Sequence, residues 1–88
     1  MATIIDAVAS AFSTTADEVR QGHGGEPRMV AAWLGRWEGW ALLRSIAAGL
    51  RLDSSGRASD LIRECESRLR GNGELQQLVD KAFAILAA

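Results

Sequence analysis

Eighty-eight residues, 48% of them apolar, suffice for one small domain with its own packed core and are too few for several. A formal net charge of −1 denies the chain as a whole the positive excess that phosphate contacts require. The single cysteine, Cys65, excludes an intrachain disulfide and fits a reducing compartment, and no apolar run is long enough to span a bilayer.

Apolar residues recur at helical spacing throughout, and alternation at period two is absent. The expected fold is therefore all-α, a bundle of five or six short helices. The first helix is predicted over about 2–12, with Ile5, Val8 and Phe12 on one face and Ile4 and Ala11 beside them. In "STTADEV" the Thr15-x-x-Glu18 spacing predicts a capping box opening a short second helix that buries Val19. "GHGGEP" breaks the chain, and Pro27 is expected at the first position of a third helix, about 27–38, carrying Val30, Ala31, Leu34 and Trp37 and ended by Gly39. A fourth helix, about 41–50, shows Leu42, Leu43, Ile46 and Leu50. After "RLDSS" a fifth, about 55–70, has the stripe Ala58, Ile62, Cys65, Leu69 with Leu61 alongside, and "GNG" stops it. The last, about 73–87, carries Leu75, Leu78, Val79, Ala82, Ile85 and Leu86. Met1 stands almost on the first helix and the chain stops inside the last, a pattern compatible with a piece cut from a longer protein. The expected location is cytoplasmic, with no membrane partner.

The charge is unevenly spread. Residues 20 to 70 hold nine arginines and six acids, a net +3, while the two ends hold Lys81 against Asp6, Asp17, Glu18, Glu74 and Asp80, a net −4. Arginine suits bidentate phosphate and guanine contacts, although GC-rich coding would also enrich it.

Residues able to carry catalysis are scarce: one histidine, one cysteine and no tyrosine. Cys65 falls on an apolar stripe and reads as core rather than as a reactive thiol. His23 has no second histidine or cysteine at ligand spacing, so no metal site is expected. "GHGG" lacks the Gly-Lys-Ser/Thr ending of a nucleotide loop. Neither a cofactor, nor a small-molecule substrate, nor an enzymatic activity is expected. Trp33, Trp37 and Trp40 are spaced by four and three on one helical face. They could stack bases, but packing in the core or over a helix junction is the simpler reading, with one partner needed for each indole N–H.

The pair 41–50 and 55–70 has a mechanism attached to it. Two short helices joined by a few residues fit a helix-turn-helix, whose second helix enters the major groove N-terminus first; they also fit neighbouring helices of an ordinary bundle. Ile46, Ala47 and Leu50 face Ala58 and Ile62 in the first arrangement. Ser54, Ser55, Gly56, Arg57 and Asp60 are then left exposed at the mouth of the second helix, with Ser54 or Ser55 as its cap. A helix N-terminus favours phosphate through its free N–H groups and its dipole.

The run "IIDAVASAF…TADEVRQ…EPRMVAAWLGRW…GWALLRSIAAGL…SGRASDLIRECESRL" resembles the C-terminal DNA-binding domain of the bacterial replication initiator DnaA, and more closely the related domain of REP-associated transposases. The likeness covers roughly residues 3 to 70. Pro27-Arg28 matches the opening of the family's long helix, and Leu43-Arg44-Ser45-Ile46-Ala47 matches the stretch before its turn. Its polar recognition-helix run falls on Ser54, Ser55, Gly56 and Arg57. The resemblance implies a Trp-repressor-like helical bundle that binds double-stranded DNA sequence-specifically. It assigns Arg28 and Arg36 to backbone or groove contacts, places Arg44 near the start of the first helix of the pair, and gives Ser54, Ser55 and Arg57 base edges or phosphates. The chain departs from the pattern in two places. "GHGGE" replaces a basic loop, and Asp53 stands where the family's motif begins with arginine. A protein-interaction domain on a helix-turn-helix scaffold that has lost DNA is thus the alternative expectation, and an exposed tryptophan pair would favour it.

Overall fold

The computed structural model describes residues 1–22 and 25–88, so the readings made of His23 lie outside the described residues. Six helices and no strand occur among the described residues: α1 Ala2–Ala11, α2 Ala16–Gln21, α3 Glu26–Trp37, α4 Leu43–Gly49, α5 Ser55–Leu69 and α6 Gly73–Ala87. The all-α expectation holds.

Each boundary has a local cause. α1 buries Ile4, Ile5, Ala7, Val8 and Ala11, and stops where Ser13 turns left-handed at φ 57°. The Ser13 and Thr14 N–H groups then donate back to the Ser10 and Ala9 carbonyls, a Schellman closure built on serine rather than glycine. The Thr15 hydroxyl oxygen caps α2 by accepting from the Glu18 N–H at 3.2 Å. The return arm of the expected capping box is not made: the Glu18 carboxylate accepts instead from the Thr14 hydroxyl at 2.5 Å. Pro27 is the second helical residue of α3, not the first, and Gly25 is the cap.

α3 is the central helix. Pro27, Met29, Val30, Ala31, Ala32, Leu34 and Gly35 are all buried in it, and α1, α2, α4 and α5 pack around it. Its small residues let neighbours approach closely. A Cβ on Gly35 would meet the Met1 sulfur at 2.7 Å. The role expected of Gly39, to end the helix, is corrected. Trp40, not Gly39, takes the left-handed turn (φ 54°); a Cβ on Gly39 would lie 2.6 Å from the tip of the Ile4 side chain and 3.1 Å from the Gly35 carbonyl oxygen, so these neighbours would have to shift.

α4 is shorter than its predicted 41–50. Leu42 is its cap, in extended conformation, and is 54% exposed instead of joining the apolar stripe. Its far end closes as α1 does. Arg51 turns left-handed at φ 56°, and the Arg51 and Leu52 N–H groups donate to the Ala48 and Ala47 carbonyls. α5 buries the predicted Ala58, Leu61, Ile62 and Cys65 and packs on α3 and α4. α6, capped by Asn72, buries Leu75, Val79 and Ala82, chiefly against α1. The sequence pattern drew its stripe too wide: Ile85 is exposed and Leu78 half-buried, because one neighbouring helix covers only part of the apolar arc.

Two predictions follow from this packing. A glycine at position 51 adopts the required φ without the steric cost borne by an arginine, so Arg51→Gly should raise the unfolding free energy by about 1 kcal/mol, read from the urea midpoint. Cys65 is buried, and that burial, reinforced by the Glu66 charge, pushes its thiol up to about 12. The unfolded thiol ionises near ~8.5, so the folded state loses stability as pH rises between these two values. Cys65→Ala should flatten the wild-type decline in unfolding free energy over that range, and native Cys65 should resist iodoacetamide at pH ~8 until the chain is denatured.

Candidate nucleic-acid interface

α4 and α5 are consecutive, joined by residues 50–54, and pack on each other. Ile46, Ala47, Leu50, Ala58 and Ile62 are all buried in one continuous core, as the spacing predicts. Everything at the opening of α5 faces outward: Ser54, Ser55, Gly56, Arg57 and Asp60 are exposed. The Ser54 hydroxyl oxygen accepts from the Arg57 N–H at 3.3 Å, the cap expected of this serine pair.

The four arginines singled out in the sequence divide into two pairs. Arg36 and Arg44 line one open groove together with Leu42, Leu43 and Ser55. Arg28 and Arg57 line a separate cleft that also holds Glu64 and Arg68. Ser55 and Arg57 lie about 200° apart around their helix, so cationic side chains flank the α5 opening on both sides. Arg36, Arg44 and Arg57 have no acidic partner within salt-bridge distance among the described residues. By contrast, Arg63 is paired with Asp60 and Arg68 with Glu64, each at 2.7 Å.

Arg28 is differently placed. Its Nη2 donates to the Leu50 carbonyl at 2.6 Å and to the Arg51 carbonyl at 3.3 Å. Nε is buried with no hydrogen-bond partner among the described residues. Burial, then the Arg57 charge, lowers its pKa below the ordinary arginine value, opposed by Asp53. The side chain is therefore built into the fold against the turn after α4, and its Nη2 donor is occupied.

The tryptophans correct a sequence expectation. Trp33 is half-buried against the core, and its Nε1, which the sequence reading supplied with a partner, has none among the described residues. Trp37 is 45% and Trp40 80% exposed. The Arg36 guanidinium carbon lies 5.7 Å from the Trp37 ring centroid, a cation–π contact. The four-and-three spacing misled because α3 ends at Trp37, so Trp40 no longer shares its face. The exposed apolar Leu42 was missed for the same reason, being a cap and not a helical residue.

Among the described residues no three His, Cys, Asp or Glu side chains gather as a metal site, and no helix is long and apolar enough to cross a membrane. Comparison with protein families, with curated proteins and with solved structures finds no match.

The two kinds of arginine should respond differently to truncation. Arg28→Ala should cost about 1.5–3 kcal/mol of unfolding free energy, the usual loss for hydrogen bonds from a charged group. Arg44→Ala and Arg57→Ala should stay within about 0.5 kcal/mol of wild type. Urea unfolding of the three variants at matched m-values makes the comparison.

Proposed function

We propose that this chain is a sequence-specific double-stranded DNA-binding domain in which α4, residues 50–54 and α5 act as a helix-turn-helix, within a transposase-like or replication-initiator-like protein. The observation that carries the reading is the opening of α5. An exposed, serine-capped helix N-terminus stands between arginines on both flanks, the arrangement needed to hold a phosphate backbone while the first turn meets base edges. Arg36 and Arg44 serve one flank and Arg57 the other. Ser54, Ser55 and Gly56 form the tip, where the glycine admits close approach. Arg28 acts from below, holding the turn in place.

A second reading, a protein-interaction domain on the same scaffold, is favoured by the exposure of Trp37, Trp40 and Leu42. Large apolar side chains exposed together commonly mark a protein interface.

Salt dependence tests the DNA reading quantitatively. Four arginines on phosphates would give a slope of about −3.6 in log K against log salt, but with Arg28 engaged inside the fold three remain, and the expected slope is about −2.7. Arg57→Ala and Arg44→Ala should each weaken binding to a mixed-sequence duplex and make the slope shallower by about 0.9. Fluorescence anisotropy over a salt series measures both. Equal affinity of wild type and both variants would remove the assignment.

A further inference from the structure

Residue 40 is an anomaly of the fold. A bulky side chain at φ 54° is unfavourable, and glycine would make the same turn more cheaply. The backbone there is held by two hydrogen bonds, from the Gly39 N–H to the Leu34 carbonyl at 3.1 Å and from the Ala41 N–H to the Gly35 carbonyl at 2.9 Å. Neither uses the indole. At 80% exposure the ring does little for the core. The fold thus carries a tryptophan where packing does not ask for one and the backbone disfavours it.

Its surroundings share a character. Trp37 and Leu42 are also exposed. Arg36, which stacks on Trp37, lines an open groove of about 580 Å³ together with Leu42, Leu43, Arg44 and Ser55. Its floor is aliphatic and its cations are unpaired. The single acid between residues 27 and 52, Glu38, lines a different cleft, shared with Thr3, Ile4 and Phe83. Base stacking would use the indoles, but it leaves the leucine floor without a role. Apolar side chains fill such a floor, and acidic side chains answer the two arginines. Tryptophan and arginine at a leucine-lined groove is also the composition of a protein-binding hot spot.

We propose that this groove docks an acidic, amphipathic protein segment, apolar residues seated on Leu42 and Leu43 and carboxylates on Arg36 and Arg44, with Trp37, which stacks on Arg36, and Trp40, two residues before Leu42, adding apolar contact to it. Because Arg36, Arg44 and Ser55 also flank the α5 opening, the segment and duplex DNA compete for the same cations. The docking stands on the groove alone; the competition rests on the DNA-binding reading.

The probe is a designed helical peptide with Leu and Phe at i, i+3, i+4 and i+7 and Glu elsewhere. A control keeps the apolar positions and replaces every Glu by Lys. The acidic peptide should shift the tryptophan emission to the blue and bind more weakly as salt rises; the basic control should not bind. Trp40→Gly, which relieves the backbone and so keeps the fold, should weaken the peptide about tenfold while leaving duplex affinity unchanged. Arg44→Ala should weaken both ligands. Added peptide should displace a labelled duplex from the wild-type domain. No response to the acidic peptide, an equal response to the basic one, or tryptophan quenching by an oligothymidylate in place of the peptide would each overturn the docking site. A duplex that fails to bind while the peptide does would overturn the competition and the DNA reading together, and leave the docking site standing.

Discussion

One guanidinium ties α3 to the turn between α4 and α5. Arg28, in the first turn of α3, reaches across to the Leu50 and Arg51 carbonyls, where α4 ends. These carbonyls sit at the negative pole of the α4 dipole and have no helical donor of their own. A cation placed there satisfies them, while the left-handed Arg51 closes the helix from the other side. The consequence is geometric. The direction in which the chain leaves α4 is fixed relative to α3, and with it the point at which Ser54 can cap α5. An apolar side chain could fill the space but could not hold both carbonyls.

That anchoring also explains why the cations around the α5 opening are not equivalent. Arg28 and Arg57 line one cleft, and like charges there raise the cost of the buried member, which is the direction in which the Arg28 pKa moves. A charge so disfavoured is retained because its hydrogen bonds hold the turn. Arg36 and Arg44 have no such duty. They stand beside an aliphatic groove with no acidic partner within salt-bridge distance among the described residues.

How much of this could be read from the residues differs by level. The helices were legible because their apolar spacing survives tertiary contact: the α5 stripe and the Ile46, Ala47, Leu50 set lie in the core as the periodicity demands. The α5 cap was legible because serine before a helical run has one dominant use. What failed lies at helix ends. Leu42 and Trp40 fit a helical period by position, yet both stand outside a helix, so period predicted burial where the backbone turns away. Gly39 invited a capping role, but the turn falls on Trp40, and the neighbour closest to Gly39 is Ile4, far along the chain. The division of the arginines into two pairs was not visible either. It depends on which face of α5 each neighbouring helix covers, and that is set by packing.

The near-zero net charge, which argued against a nucleic-acid partner, loses its force once the fold places the charges. α4 packs chiefly on α5 and α3, while the acidic end residues lie on α1, α2 and α6. The net +3 of residues 20–70 and the net −4 of the ends are thus carried on different helices, Arg20 of α2 excepted. A domain polarised in this way is oriented by a charged partner before contact, even though its total charge attracts little. On the two proposed readings the same polarity would serve a polyanion at the α5 opening or an acidic segment in the adjoining groove. Charge therefore decides which side of the molecule is used, and the choice between the partners falls to what the uncharged residues offer. The serine-capped tip of α5 suits base edges, and the Trp37, Trp40 and Leu42 edge suits apolar side chains. Arg36, Arg44 and Ser55 line one groove with Leu42 and Leu43, so on the two proposed readings a ligand on either surface would draw on the same cations.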